Sequence, residues 1–354
     1  MLVGTYTSGS STGLYVYDFN AANADSRLVD SVKTSNPSYL TVSANEKYVY
    51  AVNEDADTTV DKGGRVSSFS FDKNRGSLTL LNQQPSNGNH PCYITTDKSG
   101  RWIIAGNYSS GTVAVLPVLK NGSLGTAVTT IQHYGQSVNT DRQNDPHVHA
   151  TVLSPDTKFL FVPDLGIDKL MVYRFNKVNG NLTEATTPFV MTKAGSGPRH
   201  FVFHPNKKYA YLAEELTGSI SAYRYITGEG QLELLQNISA LPPDYMGPAG
   251  SADIHVSPDG NFLYSSNRGE SNTIAIFSIN KKTGQLTFVA HQSTLGKTPR
   301  NFNFDPAGNF LLVANQNSDD IVIFKINKQT GLLTDTGKRL AISKPVCIKW
   351  MGKN

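Results

Sequence analysis

The chain has 354 residues, of which 38% are hydrophobic and 17% charged, and it carries a net charge of +4 at neutral pH. Its lysines and arginines cluster no further than pairs such as Lys207-Lys208 and Lys281-Lys282. That pattern argues against a nucleic-acid-binding face while leaving room for a local basic pocket. No apolar run reaches membrane-spanning length, and the two cysteines, Cys92 and Cys347, lack CxxC or zinc-type spacing and read as buried free thiols.

Taken from the N-terminus, "MLVGTYTSGS" reads as a strand and a turn. It has no charged region followed by an apolar stretch, and a cytoplasmic location is the expectation. A repeating unit then follows. "SYLTVSANEKYVYAVNE", "CYITTDKSGRWIIAGNY", "HATVLSPDTKFLFVPDL", "RHFVFHPNKKYAYLAEE", "ADIHVSPDGNFLYSSNR" and "RNFNFDPAGNFLLVANQ" share one frame. Each is an apolar alternation, a turn centred on Ala44, Lys98, Pro155, Pro205, Pro258 or Pro306, and a second alternation. A seventh copy is split, with "KPVCIKWMG" at the C-terminus supplying its first strand and the N-terminus the rest.

The period is about 50 residues, which is that of propeller blades. Within each unit a third strand and, after a Gly-containing turn such as "KKTGQL" or "KQTGLL", a fourth strand are expected. Helical periodicity is almost absent. The reading is an all-β, seven-bladed β-propeller with four-stranded antiparallel blades. Its ring is closed by N- and C-terminal strands in one blade, and residues 1–354 form a single domain.

Equivalent positions can be compared across the repeats. Six places before the turn residue lie Ser38, Cys92, His149, Arg199, Ala252 and Arg300, with Val346 in the split unit. This position opens the innermost strand, at the mouth of the central channel. A scaffold would place small or apolar residues there, whereas three of the seven are His149, Arg199 and Arg300. Nine places after the turn lie Asn53, Asn107, Asp164, Glu214, Asn267 and Asn315, and ten places after lie Glu54, Tyr108, Leu165, Glu215, Arg268 and Gln316.

Antiparallel neighbours should bring these columns to one face. The asparagines also suit turn chemistry. Period-two alternation turns His200 away from Arg199, and His204 in its turn reads as a surface residue. His147 and His149 form an H-x-H pair, read as a proton shuttle or anion contact rather than a metal site.

At these residues the chain resembles the seven-bladed propeller lactonases, which include a bacterial 6-phosphogluconolactonase and, more distantly, a fungal 3-carboxy-cis,cis-muconate lactonizing enzyme. The resemblance spans essentially the whole chain. It rests on "VGTYTSGSSTGLYVYDFN", "NPSYLTVSANEKYVYAVNE", "HPCYITTD", "DPHVHATVLSPD", "GPRHFVFHPNKKYAYLAEEL" and "SSNRGESNTIAIF". It implies His149, Arg199, Glu215 and Arg268 as site residues, with Glu214 beside Glu215 as the alternative carboxylate. It also implies hydrolysis of 6-phospho-D-glucono-1,5-lactone in the pentose phosphate pathway.

In that chemistry Glu215 or His149 would activate water, and Arg199 would stabilise the oxyanion. Arg268 and Arg300 would hold the phosphate, with His147, Glu214 and Asn315 completing the substrate contacts. No cofactor or metal is expected, and the partner is a small anionic lactone, with neither nucleic acid nor membrane. The protein would be a monomer or weak homodimer. A carboxymuconate-type lactonizing enzyme would use the same residues on a carboxylate. A non-catalytic binding propeller is the other alternative. The long segments "EDADTTVDKGG", "YGQSVNTDRQND" and "LPPDYMGPAGS" are expected to rim the pocket.

Overall fold

Alternating apolar residues and the Pro- and Gly-bearing turns produce short strands throughout. The computed structural model describes residues 1–57 and 63–352, and part of the first expected rim segment therefore lies outside the described residues. Among the described residues 28 strands form seven four-stranded antiparallel sheets. Blades 1 to 6 occupy residues 40–85, 91–132, 152–191, 198–239, 251–293 and 299–341. Each is a meander that runs from its innermost strand outward.

The seventh blade joins Pro345–Lys349 to Leu2–Thr5, Gly13–Phe19 and Ser26–Lys33 in that order. Val3 pairs with Ile348 and Gly4 with Cys347, so backbone hydrogen bonds between the two ends of the chain zip the ring shut.

Neighbouring blades share apolar faces. Tyr211, Ala213, Ile220 and Ala222 of blade 4 pack against Ile254, Leu263, Ala275 and Phe277 of blade 5 in one buried cluster. The hairpin glycine between the last two strands sets the distance between blades. In blades 2 to 6 it presses on an aromatic residue at the start of the preceding blade's second strand. Gly230 lies on Phe159, Gly284 on Tyr209 and Gly331 on Phe262. A tyrosine two residues further along donates to the same turn: Tyr211 to the Gly284 carbonyl at 3.0 Å, and Tyr264 to that of Gly331 at 2.7 Å.

Gly284 has φ +78°, and a methyl group added there would lie 2.3 Å from Tyr209 Cδ1. Gly284→Ala therefore combines left-handed backbone strain with overpacking. A loss of about 2–4 kcal/mol is expected, read as a lowered midpoint in denaturant titration.

Candidate active site

The innermost strands are not regular. Their pairing register shifts between Pro91 and Tyr93, Pro198 and His200, Ser251 and Ile254, and Pro299 and Asn301. The residues passed over include Cys92, Arg199, Ala252 and Arg300, all members of the first column. A bulge leaves a residue outside the ladder and re-aims its side chain. In blade 4 it overrides simple alternation. Arg199 and His200 both face the channel axis, which corrects the expectation that His200 turns away.

His200 meets four other blades. Its ring centroid is 5.8 Å from Tyr39, 5.3 Å from Tyr93 and 5.4 Å from His149, and its Nδ1 is 2.8 Å from Asp253 Oδ1. Tyr39 and Tyr93 stack at 4.1 Å. Asn301 also bonds Asp253. These groups fill the channel and make a floor beneath the first ring.

Above the floor the arginines converge on Glu215. Its Oε2 accepts from Arg199 Nε at 2.9 Å and lies 2.8 Å from Arg268 Nη2, and its Oε1 accepts from Arg142 Nη2 at 2.7 Å. Arg268 is held in turn by its Nε donating to the Gly250 carbonyl at 3.0 Å. That carbonyl belongs to the rim segment "LPPDYMGPAGS".

On the far side Tyr6 donates to both oxygens of Glu54 at 2.9 Å. Arg300 lies 3.9 Å from the same carboxylate and 5.3 Å over the Tyr6 ring. Among the described residues, four guanidiniums thus share a mouth with two carboxylates, leaving a surplus of two positive charges in these ion pairs.

The electrostatics follow from this crowding. Burial pushes the Glu215 carboxyl up, but Arg268, Arg199 and Arg142 outweigh it and hold it well below the usual carboxylate range. Burial, then Arg268 and Arg300, bring Arg199 down to about 10. His149 is only 4% exposed. Burial, followed by Arg199, His200 and Arg300, pushes its imidazole well below the usual histidine range, so it is neutral. Its Nδ1 lies 3.6 Å from Cys92 Sγ, and Nε2 makes no hydrogen bond among the described residues. Burial raises the Cys92 thiol, which stays protonated.

Not every expected residue reaches this mouth. Glu214 points into its own blade, where it accepts from Ser221 at 2.8 Å, Ser219 at 2.5 Å and Asn237 at 3.0 Å. Asn315 likewise donates to the Thr294 carbonyl and to Asp320. The ninth-place column as a whole is buried, and apart from Glu214 it ties its own sheet to the segment leaving the preceding blade: Asn53 to Ser67 and to Thr34, Asp164 to His133, Asn267 to Ser251 and to the Ala240 carbonyl. Alternation makes the tenth place, not the ninth, the channel-facing one. Glu214 and Asn315 are thus set apart from the arginine cluster.

His147 sits on the rim, stacked on Tyr108 at 4.3 Å. His204 is 2% exposed, not at the surface. Its Nδ1 accepts from the Asn206 amide and its Nε2 donates to the Gly260 carbonyl of the next blade.

Arg142, Glu54, Tyr6 and Asp253 were not singled out as site residues from the sequence. Tyr6 and Glu54 occupy tenth-place slots, so column logic could have found them. Arg142 lies in the long segment "YGQSVNTDRQND", outside the repeat frame. The neighbouring Gln143, fully buried, fixes that segment by donating to the Leu165 carbonyl and accepting from the Asn139 amide. No repeat comparison reaches such a residue.

The profile of the family described as lactonase, 7-bladed beta-propeller, matches residues 1–350. The chain is 36% identical over 352 residues to a 6-phosphogluconolactonase of Bacillus subtilis, covering 99% of this chain and 97% of that one. It is 38% identical to a 6-phosphogluconolactonase of Formosa agariphila, covering 89% of each. The solved structure of a periplasmic gluconolactonase from Pseudomonas aeruginosa superimposes with a TM-score of 0.91 at 39% identity, covering 97% of this chain and 96% of that one.

The two adjacent glutamates should separate cleanly. Glu214→Ala is expected to cost about 1–3 kcal/mol of stability by removing the buried acceptor that Ser219, Ser221 and Asn237 share, with lactone turnover kept within about threefold. Glu215→Gln should lower turnover by about a hundredfold or more. Chemical denaturation and initial rates on both variants decide it.

The depressed Glu215 carboxyl carries a pH signature as well. Its folded value lies below the ordinary 4.5. Its contribution to stability is therefore fully present above about pH 5 and is lost as pH falls. The stability gap between wild type and Glu215→Gln should shrink between about pH 5 and pH 3 in denaturant titrations.

Proposed function

The chain belongs to the seven-bladed β-propeller lactonase family, and from that premise we propose that it hydrolyses 6-phospho-D-glucono-1,5-lactone to 6-phosphogluconate. The observation that carries the reading is the charge balance at the mouth: four guanidiniums against two carboxylates, beside one neutral histidine. A surplus of two matches a phosphate dianion. Arg268, Arg300 and Arg142, all partly exposed, are placed to receive it, and the planar guanidinium fork suits phosphate oxygens.

Arg199 is the oxyanion group. Its Nε and Nη1 are committed to Glu215, His200 and the Ala252 carbonyl. Nη2 makes no hydrogen bond among the described residues and remains for the lactone oxygen. His149 is the base, because its imidazole is unprotonated and its Nε2 is uncommitted. It takes a proton from water as the water oxygen bonds to the lactone carbonyl carbon. It returns that proton to the ring oxygen as the ring C–O bond breaks. A bound dianion offsets the guanidinium field that depresses the imidazole, so His149 is more basic with substrate present than without.

Glu215 serves as the counter-charge that gathers the arginines, since three of them hold it ionised and already hydrogen-bonded. A phosphorylated lactone does not cross membranes unaided, and that substrate supports a cytoplasmic reading.

Hydrolysis of freshly generated 6-phosphogluconolactone, measured against its spontaneous rate, tests the reading beside unphosphorylated gluconolactone. The phosphorylated substrate should be preferred by at least tenfold in kcat/KM. Arg268→Ala and Arg300→Ala should each lower that preference mainly through KM, while His149→Ala and Arg199→Ala lower kcat by about 10² or more. Equal rates on both lactones would remove the phosphate assignment, and no acceleration of either would remove the reading.

A further inference from the structure

Arg199 is fully buried among other arginines. A cationic side chain in such a place needs partners that fix both its charge and its orientation. Glu215 is one, but it is shared with Arg142 and Arg268. Another lies on the side of the channel floor. Arg199 Nη1 is 3.2 Å from His200 Nε2, and His200 Nδ1 is 2.8 Å from Asp253 Oδ1.

A guanidinium only donates, so Nε2 must accept and Nδ1 must carry the proton that goes to Asp253. Asp253 is 1% exposed and is locked from its remaining sides: His255 Nε2 at 3.0 Å, Asn301, and the Ile254 amide at 2.9 Å. One imidazole therefore bridges a buried cation and a buried anion.

We propose that His200, oriented by Asp253, is a positioning residue for the reaction: it fixes the plane of the Arg199 guanidinium so that Nη2 meets the developing oxyanion. The role rests on the lactonase reading for its catalytic consequence, but not for its geometry. His200 touches no substrate atom in this scheme. It acts through Arg199, and it does so only as the neutral Nδ1–H tautomer. Protonation would put a donor opposite the Arg199 donor and break the bridge.

The groups facing His200 are Arg199 on its own strand, Asp253 with His255 behind it, Tyr39, Tyr93 and His149. Burial and Arg199 bring the imidazole down to about 4, against the opposing pull of Asp253, so the bridge is intact at neutral pH.

The test compares His200→Gln with His200→Leu. A glutamine can accept from Arg199 through its carbonyl and donate to Asp253 through its amide, whereas leucine can do neither. In 6-phosphogluconolactone hydrolysis, His200→Leu should lower kcat by about 10- to 100-fold with KM within threefold, and His200→Gln should restore most of the loss. The wild type should lose kcat as pH falls towards about 4 through His200 and also through protonation of the base His149, and His200→Gln should lack the His200 part and keep the His149 limb alone.

Nitrogen-15 spectra of the arginine side chains give a readout independent of any substrate. The Arg199 Nη resonances should be resolved and slowly exchanging in the wild type and in His200→Gln, and averaged in His200→Leu. Unchanged Arg199 spectra in a folded His200→Leu, or a glutamine variant as impaired as the leucine one, would overturn the positioning role. Wild-type protein that shows the spectra but no lactonase activity would instead sink the substrate reading and leave the bridge standing.

Discussion

Four guanidiniums cannot be crowded around one opening unless negative charge is placed among them. Glu215 supplies it. Its two oxygens engage Arg199 from its own blade, Arg268 from the next and Arg142 from the loop between blades 2 and 3. The carboxylate is buried, so its field is little screened. It therefore ties three separate segments of chain to one point. Glu54 repeats the arrangement at smaller scale with Arg300 and Tyr6. Because two carboxylates do not balance four arginines, the mouth stays electropositive after its internal pairs are made. That residual charge is what an anionic substrate meets.

The constraint is met by a local departure from regularity. A strictly alternating inner strand would give the channel every second residue. The bulges at Cys92, Arg199, Ala252 and Arg300 break that rule at the strand entrance. They give two successive rings, an upper one of charged groups and a lower one beneath it. Arg199 belongs to the upper ring. His200, Asp253, Asn301, Tyr39 and Tyr93 belong to the lower, where they fill the axis with hydrogen-bonded and stacked groups. These groups are themselves mostly buried, and burial strengthens the charge interactions beside them.

Much of this was legible in the sequence, and the reasons are physical. The blade repeat writes its alternation and its turn glycines seven times over, so the fold, the split seventh blade and the placement of His149 and Arg199 could be read from spacing. What escaped had two causes. One is the bulge, a backbone feature without a residue signature; it made His200 look misdirected. The other is that a side chain brought to the mouth from outside the repeat has nothing to be aligned with. Arg142 is such a case, held over the mouth by Gln143 in an irregular loop. The ninth-place residues show the converse. Glu214 and Asn315 have the right chemistry and the right strand end, but Glu214 is turned into its own sheet and Asn315 to Asp320 and to the segment leaving the preceding blade.

The same distinction explains why so polar an interior is tolerated. A buried ion pair is a poor source of stability, because desolvating both charges offsets most of the Coulomb gain. A core built for stability alone would have placed apolar side chains at Arg199, Asp253 and His200, as it does at the equivalent Val346 and Ala150. The blades carry the stability instead, through their shared apolar faces and the glycine–aromatic contacts at the outer turns. The ring closure lets seven such interfaces support one axis. The central residues are then free to be chosen for charge. A δ-lactone is already an activated ester, so the proposed mechanism asks only for a positioned guanidinium and a neutral imidazole, without a nucleophile. Among the described residues no serine–histidine–carboxylate arrangement lies at the mouth, and the Cys92 thiol there is held protonated by burial.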